Sequence, residues 1–267
     1  MSVPARITSR RSLAAIAVAM LAALGMATPA SAVQATTYAA LGDSYSSGVG
    51  AGDYGDSGAC KRSANAYPNL WAKAHSGTEL TFVACSGART PDVLKQADSV
   101  KSGTNLITVS VGGNDAGFVD VITKCTLGSD QDCQNRVNTA KDYATKTLPG
   151  LLDGVYSKLK SKAPNAKLVV VGYPRIYKVP GSCNVGLSDA KRTAINSGSD
   201  ALASVISARA SAAGAKFVDV RGPFTGHEIC SGDWWLNSLT WPVDESYHPN
   251  KAGQAKGYLP ALTSAAG

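Results

Sequence analysis

Five short apolar runs recur along the chain, at Tyr38–Leu41, Leu80–Ala84, Leu106–Val111, Leu168–Gly172 and Lys216–Asp219. Most are continuous rather than alternating, which is the pattern of strands covered on both faces. The stretches between them carry helical signals. Tyr67–His75 opens with a proline in its first turn. Asn135–Ala163 is long, with Pro149 as a break point. Ser188–Ala213 begins at a Ser-Asp cap and ends before Gly214, and a last helix is predicted to start near Asn250. Alternating strand and helix implies a parallel sheet with helices on both faces, and right-handed crossovers restrict its topology. Ligands of such sheets bind in the crevice at the carboxyl ends of the strands.

The first thirty or so residues stand apart from this pattern. Arg6, Arg10 and Arg11 form a basic start without an acid, Ser12–Met26 is apolar and small, and Ala30-Ser31-Ala32 is a small-x-small cleavage pattern. This is the layout of a secretory signal over residues 1–32, too short to read as a membrane span. Residues 33–267 then form a single domain, with no linker, repeat or charge block dividing them. The net charge of +7 falls to +4 when the leader's three arginines go. That mild basicity, without a Lys/Arg stripe interleaved with aromatics, speaks against nucleic acid as a partner. The predicted location is extracellular.

All six cysteines follow the leader, and an even count in an exported chain reads as three disulfides. Fifteen pairings are possible. The simplest is sequential: Cys60–Cys85, Cys125–Cys133 and Cys183–Cys230. Zinc is disfavoured by the spacing, which holds no Cys-x2-4-Cys pair.

Four segments lie where the strands should end. Gly42-Asp43-Ser44 follows the first, Cys85-Ser86-Gly87 the second and Gly112-Gly113-Asn114-Asp115 the third. Asp244-Glu245-Ser246-Tyr247-His248-Pro249 precedes the last helix. In this order, Ser44, Gly87, Asn114 and His248 resemble the four blocks of the SGNH hydrolases, a branch of the GDSL esterase/lipase family. The wider sequence is most similar to its secreted actinobacterial lipases and phospholipases A1. The resemblance implies a flavodoxin-like, three-layer α/β/α fold around a central parallel sheet of about five strands, with no metal, no cofactor and no lid domain. It implies Ser44 as nucleophile and His248 as base. The oxyanion hole would be built from the backbone N–H groups of Ser44 and Gly87 and the side-chain amide of Asn114.

Chemistry asks for the same parts. A serine is a weak nucleophile without a base, and a developing oxyanion needs donors already aimed at it. Of three histidines, His75 reads as a surface residue of a helix and His227 as structural or at a rim. Asp43 and Asp115 read as structural. The chain departs from the family pattern three residues before the histidine, where Glu245 replaces an aspartate. Three partners for the imidazole are therefore open: Glu245, Asp244 and the main-chain carbonyl of Ser246, with Ser246 favoured. Trp234, Trp235, Leu236, Leu239, Trp241 and Val243 either line an acyl groove or belong to the core, and the glycine-rich stretch 48–58 reads as an open, adaptable rim. The implied activity is hydrolysis of lipid acyl esters by a monomer, with transient contact to lipid interfaces at most. A carbohydrate acetylesterase and an inactive binding protein are the alternatives.

Overall fold

Strand β1 (Thr37–Gly42) is almost fully buried, and it sits between two partners in a parallel ladder. In this computed structural model the described residues are 1–4, 36–183 and 187–267, so residues 5–32 of the expected leader lie outside them. The remaining strands are β2 (Glu79–Phe82), β3 (Leu106–Ser110), β4 (Lys167–Val171) and β5 (Lys216–Val218). They form one parallel sheet in the order β2-β1-β3-β4-β5. The register pairs Ala39 with Thr81 on one side and Ile107 on the other. Central β3 and β4 are buried along nearly their whole length, whereas edge strands β2 and β5 are not, as expected of a sheet sandwiched between helices.

The helices are α1 (Ser44–Ser47), α2 (Tyr67–Ala74), α3 (Thr90–Gln96), α4 (Phe118–Leu127), α5 (Asp130–Lys146), α6 (Leu148–Lys162), α7 (Asp189–Ala212) and α8 (Leu259–Ala266). Helices α2 and α8 pack together on one side of the sheet. Helices α3, α6 and α7 pack on the other, with α4 and α5 laid against α7. The three-layer α/β/α expectation holds. Helix α6 shows why: Leu148, Leu152, Val155, Tyr156 and Leu159 are all buried and recur at helical spacing, forming a single core-facing stripe.

The strand runs match the predicted ones to within a few residues, but the helices differ in three places. The stretch 135–163 is two helices, and the first starts earlier, at a capping box in which Ser129 and Asp132 satisfy each other's backbone N–H groups. Pro149 does not kink a continuing helix. It sits in the first turn of α6, where a missing N–H costs nothing. Helices α3 and α4 had no predicted counterpart, being too short to show a clear period. Near Asn250 the chain does turn helical, passing through a π-helical turn at Gly253–Tyr258 before α8.

All six cysteines are paired as Cys60–Cys85, Cys125–Cys133 and Cys183–Cys230. The first joins the loop after α1 to the end of β2, and the second joins α4 to α5.

One tether to the sheet comes from α3. Gln96 accepts from the backbone N–H of Gly42 at 2.7 Å and donates to its carbonyl at 3.0 Å, closing off the end of β1. Gln96→Ala should leave the Gly42 N–H without its partner, while the carbonyl keeps the Cys85 N–H at 2.9 Å, and lower stability by about 1–3 kcal/mol, read as a shifted urea midpoint at unchanged slope.

Candidate active site

The order β2-β1-β3 places a topological switch between β1 and β3, because the chain leaves them in opposite directions. Ser44 follows β1 and Asn114 follows β3, so both arrive at this crevice. The turn between β1 and α1 is sharp. Gly42 has φ +124°, and a Cβ there would collide with the backbone of Ser110. Asp43 caps α1 by accepting from the N–H of Tyr45 at 3.1 Å, and it also accepts from Ser110 Oγ at 2.6 Å and from the Tyr173 hydroxyl. Burial pushes its carboxyl up to about 6, against the pull of those three hydrogen bonds. Asp115 accepts from the N–H and hydroxyl of Thr90 at the start of α3. Both aspartates therefore have the structural place expected of them.

His248 completes a line. Its Nε2 lies 2.7 Å from Ser44 Oγ and its Nδ1 lies 2.9 Å from the carbonyl oxygen of Ser246. A carbonyl can only accept, so the Nδ1 carries the proton and the neutral Nε2 is left to accept from the serine hydroxyl. Neither candidate carboxylate reaches the ring. Asp244 is paired with Lys61 at 2.6 Å, and Glu245 faces the same ammonium at 4.0 Å and lies near Tyr54, whose hydroxyl its charge helps to hold protonated. Removal from water pushes the imidazole down to about 4. The Ser246 carbonyl and the charge of Asp244 oppose this, and the charge of Lys61 adds to it. Because Lys61 and Asp244 are paired, their opposing effects on the ring largely offset each other.

The loop that presents this histidine is held by residues the sequence did not single out. Tyr247 is in the left-handed region, with φ +63°. Its carbonyl accepts from the Tyr45 hydroxyl at 2.8 Å, and the Tyr45 ring lies 5.2 Å from the imidazole. Asn237 is bonded on both backbone sides, its N–H to His248 O and its carbonyl from Tyr247 N, each at 2.9 Å. Its side chain donates to the Gly50 carbonyl at 3.0 Å. A lone Asn in an irregular segment gives no sequence signal for such a role.

Asn114 and Gly87 stand on the same edge. Asn114 donates one amide hydrogen to the Ala88 carbonyl at 3.0 Å, which ties it to the turn containing Gly87. The other hydrogen is free for the groove that Asn114 lines together with Ser44. Gly87 has φ +76°, and the Cys85 N–H preceding it bonds the Gly42 carbonyl at 2.9 Å. The groove itself runs between α4, α5 and α7 and is mostly apolar. Its lining includes Phe118, Val121, Val137, Ala140, Ile195 and Leu202.

The aromatic segment before His248 is not part of that lining. Trp235 and Leu236 are buried, Trp235 stacking on His227 and meeting Phe224 edge-on. Phe224 in turn meets Tyr258, just ahead of α8. The segment thus packs toward the α8 side of the sheet, while the groove lies toward α7. Leu239, Trp241 and Val243 are exposed. The stretch 48–58 is open in its second half, where Asp53, Gly55, Asp56 and Gly58 are exposed, but not in its first. Val49 and Ala51 are buried, Gly50 packs close to His248, and Cys60 anchors its far end. His75 stacks on Trp71 at the end of α2, far from this chemistry in its partners. No cluster of metal-ligating side chains occurs among the described residues.

Comparison with known proteins agrees with this geometry. The GDSL-like Lipase/Acylhydrolase family model matches residues 40–256. Lipase 1 of Streptomyces coelicolor is 56% identical over 260 residues, covering 95% of this chain and 97% of that protein. The crystal structure of an extracellular lipase from Streptomyces rimosus superposes with a TM-score of 0.85 at 55% identity, covering 86% of this chain and 100% of that one. Phospholipase A1 from Streptomyces albidoflavus gives a TM-score of 0.83 at 56% identity, covering 86% and 99%. With the serine, the histidine and the strand-end asparagine in place, the chain belongs to the GDSL-like lipase/acylhydrolase family and is a carboxylic ester hydrolase.

Proposed function

We propose that this protein is an exported serine hydrolase of lipid acyl esters, acting on acylglycerols, phospholipids or both. The observation that carries the reading is the line Ser44–His248–Ser246 opening onto a deep apolar groove. A mostly apolar groove between three helices suits an acyl chain better than a polar sugar, which favours lipids over acetylated sugars. Relatives named lipase and phospholipase A1 support the same substrate class. Export is supported by the leader pattern at residues 1–32, by three disulfides and by a relative described as extracellular.

In this reading Ser44 Oγ attacks the ester carbonyl carbon as His248 Nε2 takes its proton. The resulting oxyanion is met by the backbone N–H groups of Ser44 and Gly87 and by the free amide hydrogen of Asn114. Collapse breaks the bond to the alcohol, and the imidazolium returns its proton to the leaving oxygen. The acyl group remains on Ser44 until water repeats both steps and releases the fatty acid. The Ser246 carbonyl keeps the proton on Nδ1 throughout and so fixes the tautomer.

Hydrolysis by the protein and its Ser44→Ala variant tests this directly. The panel holds short and long p-nitrophenyl esters, a triacylglycerol, a phosphatidylcholine and an acetylated sugar. Long-chain and phospholipid cleavage lost in the variant is expected. Acetate release alone would move the substrate class to carbohydrate esters, and inactivity on the whole panel would overturn the reading.

Two substitutions separate the roles. Glu245→Ala should keep most turnover, because its carboxylate faces Lys61 and Tyr54. A loss on the order of 10³-fold would instead make it the partner of His248. Asn114→Asp places a negative acceptor beside the oxyanion and should cost at least about 10²–10³ in kcat, the usual loss for one such donor.

The base works only when neutral, and its pKa is lowered to about 4. Activity should therefore persist on acidification well below the ordinary histidine range near 6.5, with the acid limb of kcat/KM falling near pH 4. An acid limb centred at pH 6–7 would contradict the buried, carbonyl-paired imidazole. The same depression makes the folded state slower than the unfolded chain to take up this proton. The histidine's contribution to stability is thus complete above about 6.5 and lost as the pH falls toward 4.

A further inference from the structure

We infer that the loop 239–245 is a docking surface for a lipid aggregate, seating the active site against the surface that supplies its substrate. The inference rests on the proposed lipid-ester activity but concerns a surface that activity does not itself require. Leu239, Trp241 and Val243 are 58%, 87% and 59% exposed, three large apolar side chains within five residues. They do not scatter over the molecule; they crown a closed loop. Ser246 Oγ accepts from the Thr240 N–H at 3.0 Å, and the N–H groups of Glu245 and Ser246 bond the carbonyls of Pro242 and Val243. These bonds fix the backbone of the loop on which the apolar side chains stand exposed.

The position of the loop says what it meets. Ser246, which closes the loop, is the residue whose carbonyl holds His248. Across Tyr45 from the histidine, Phe118 lines the groove, and Val119 beside it is 66% exposed. Exposed apolar side chains therefore occur next in sequence to two parts of the site, the loop that ends at Ser246 and Phe118 of the groove lining. A second copy of the chain is a poor occupant. The three loop side chains offer on the order of 400 Å², about half of what each partner buries in a stable complex. A lipid surface needs no complementary partner, and tryptophan favours its interfacial layer. The loop's charged residues are both carboxylates, Asp244 and Glu245, and both face Lys61, so the loop has no cation of its own to offer an anionic headgroup. Insertion, not attraction to an anionic headgroup, should dominate, so a zwitterionic bilayer should serve.

The test uses phosphatidylcholine vesicles and co-sedimentation, in a Ser44→Ala background so that the vesicles stay intact. Binding is expected, and it should change little between low and moderate salt. Leu239→Ser combined with Trp241→Ser should weaken binding at least about tenfold, while Trp241→Phe should retain most of it, because affinity follows the apolar area inserted. With Ser44 restored, the double variant should hydrolyse soluble p-nitrophenyl butyrate within about threefold of the parent, an interval well short of the loss of an oxyanion donor. That soluble rate also confirms that the variant folds. Unchanged vesicle binding in the double variant would overturn the inference, as would a parent that fails to bind. Concentration-dependent dimerisation of the parent, abolished in the double variant, would assign the patch to a second copy and overturn it too. Failure of the parent on every ester, with vesicle binding intact, would instead sink the proposed activity and leave the docking surface standing.

Discussion

The pairing of β1 with β3 is the constraint from which the site follows. Parallel strands must end at the same edge, and the carboxyl ends of these two carry Ser44 and Asn114. The ladder continues one step past the strands, with Asp43 N–H bonding the Ser110 carbonyl at 3.1 Å. Ser110 then accounts for much of the local geometry. Its backbone leaves no space for a side chain at position 42, and its hydroxyl bonds both Asp43 and Ser46. A serine displaced by an ångström here would lose its histidine, and positioning errors of that size are costly in catalysis.

Around this edge the protein buries polar groups and satisfies them. Asp43 is nearly inaccessible but accepts three hydrogen bonds, and the result is a carboxyl raised only to about 6. His248 experiences the opposite sign of the same effect, since burial disfavours its charged form. The two carboxylates nearest in sequence to the histidine are both turned to Lys61, so a neutral carbonyl is left as the only partner on Nδ1. A carbonyl stabilises an imidazolium less than a carboxylate would, but it cannot donate and therefore cannot enforce the wrong tautomer. The arrangement trades electrostatic support for the imidazolium against a base that stays neutral over a wide pH range.

The substrate side is built from different elements than the chemistry. In the proposed function, strand ends carry the reacting groups, while α4, α5 and α7 form the groove. The loop before His248 supplies the Ser246 carbonyl to the imidazole but takes no part in the groove. Its buried half, Trp235 and Leu236, packs toward α8, and its exposed half projects outward. A single segment thus connects the core, the base and the outer surface.

Much of this was legible along the chain. Short, mostly continuous apolar runs marked the five strands, most clearly β1, β3 and β4, because strands covered on both faces have no polar side to show. The blocks at the strand ends singled out Ser44, Gly87, Asn114 and His248 through their match to the family pattern, and the proposed chemistry needs residues of these types. Cysteine order sufficed for the three pairings. Tertiary structure alone decided the rest. Whether Glu245, Asp244 or the Ser246 carbonyl meets the imidazole depends on where Lys61 and Tyr54 come to lie, and these are remote in sequence. The groove is assembled from residues as far apart as Asp43 and Leu202. Trp235 and Trp241, six positions apart, have opposite fates. Hydrophobicity declares that a side chain would gain by leaving water; only the packing of the other elements determines whether there is a place for it to go.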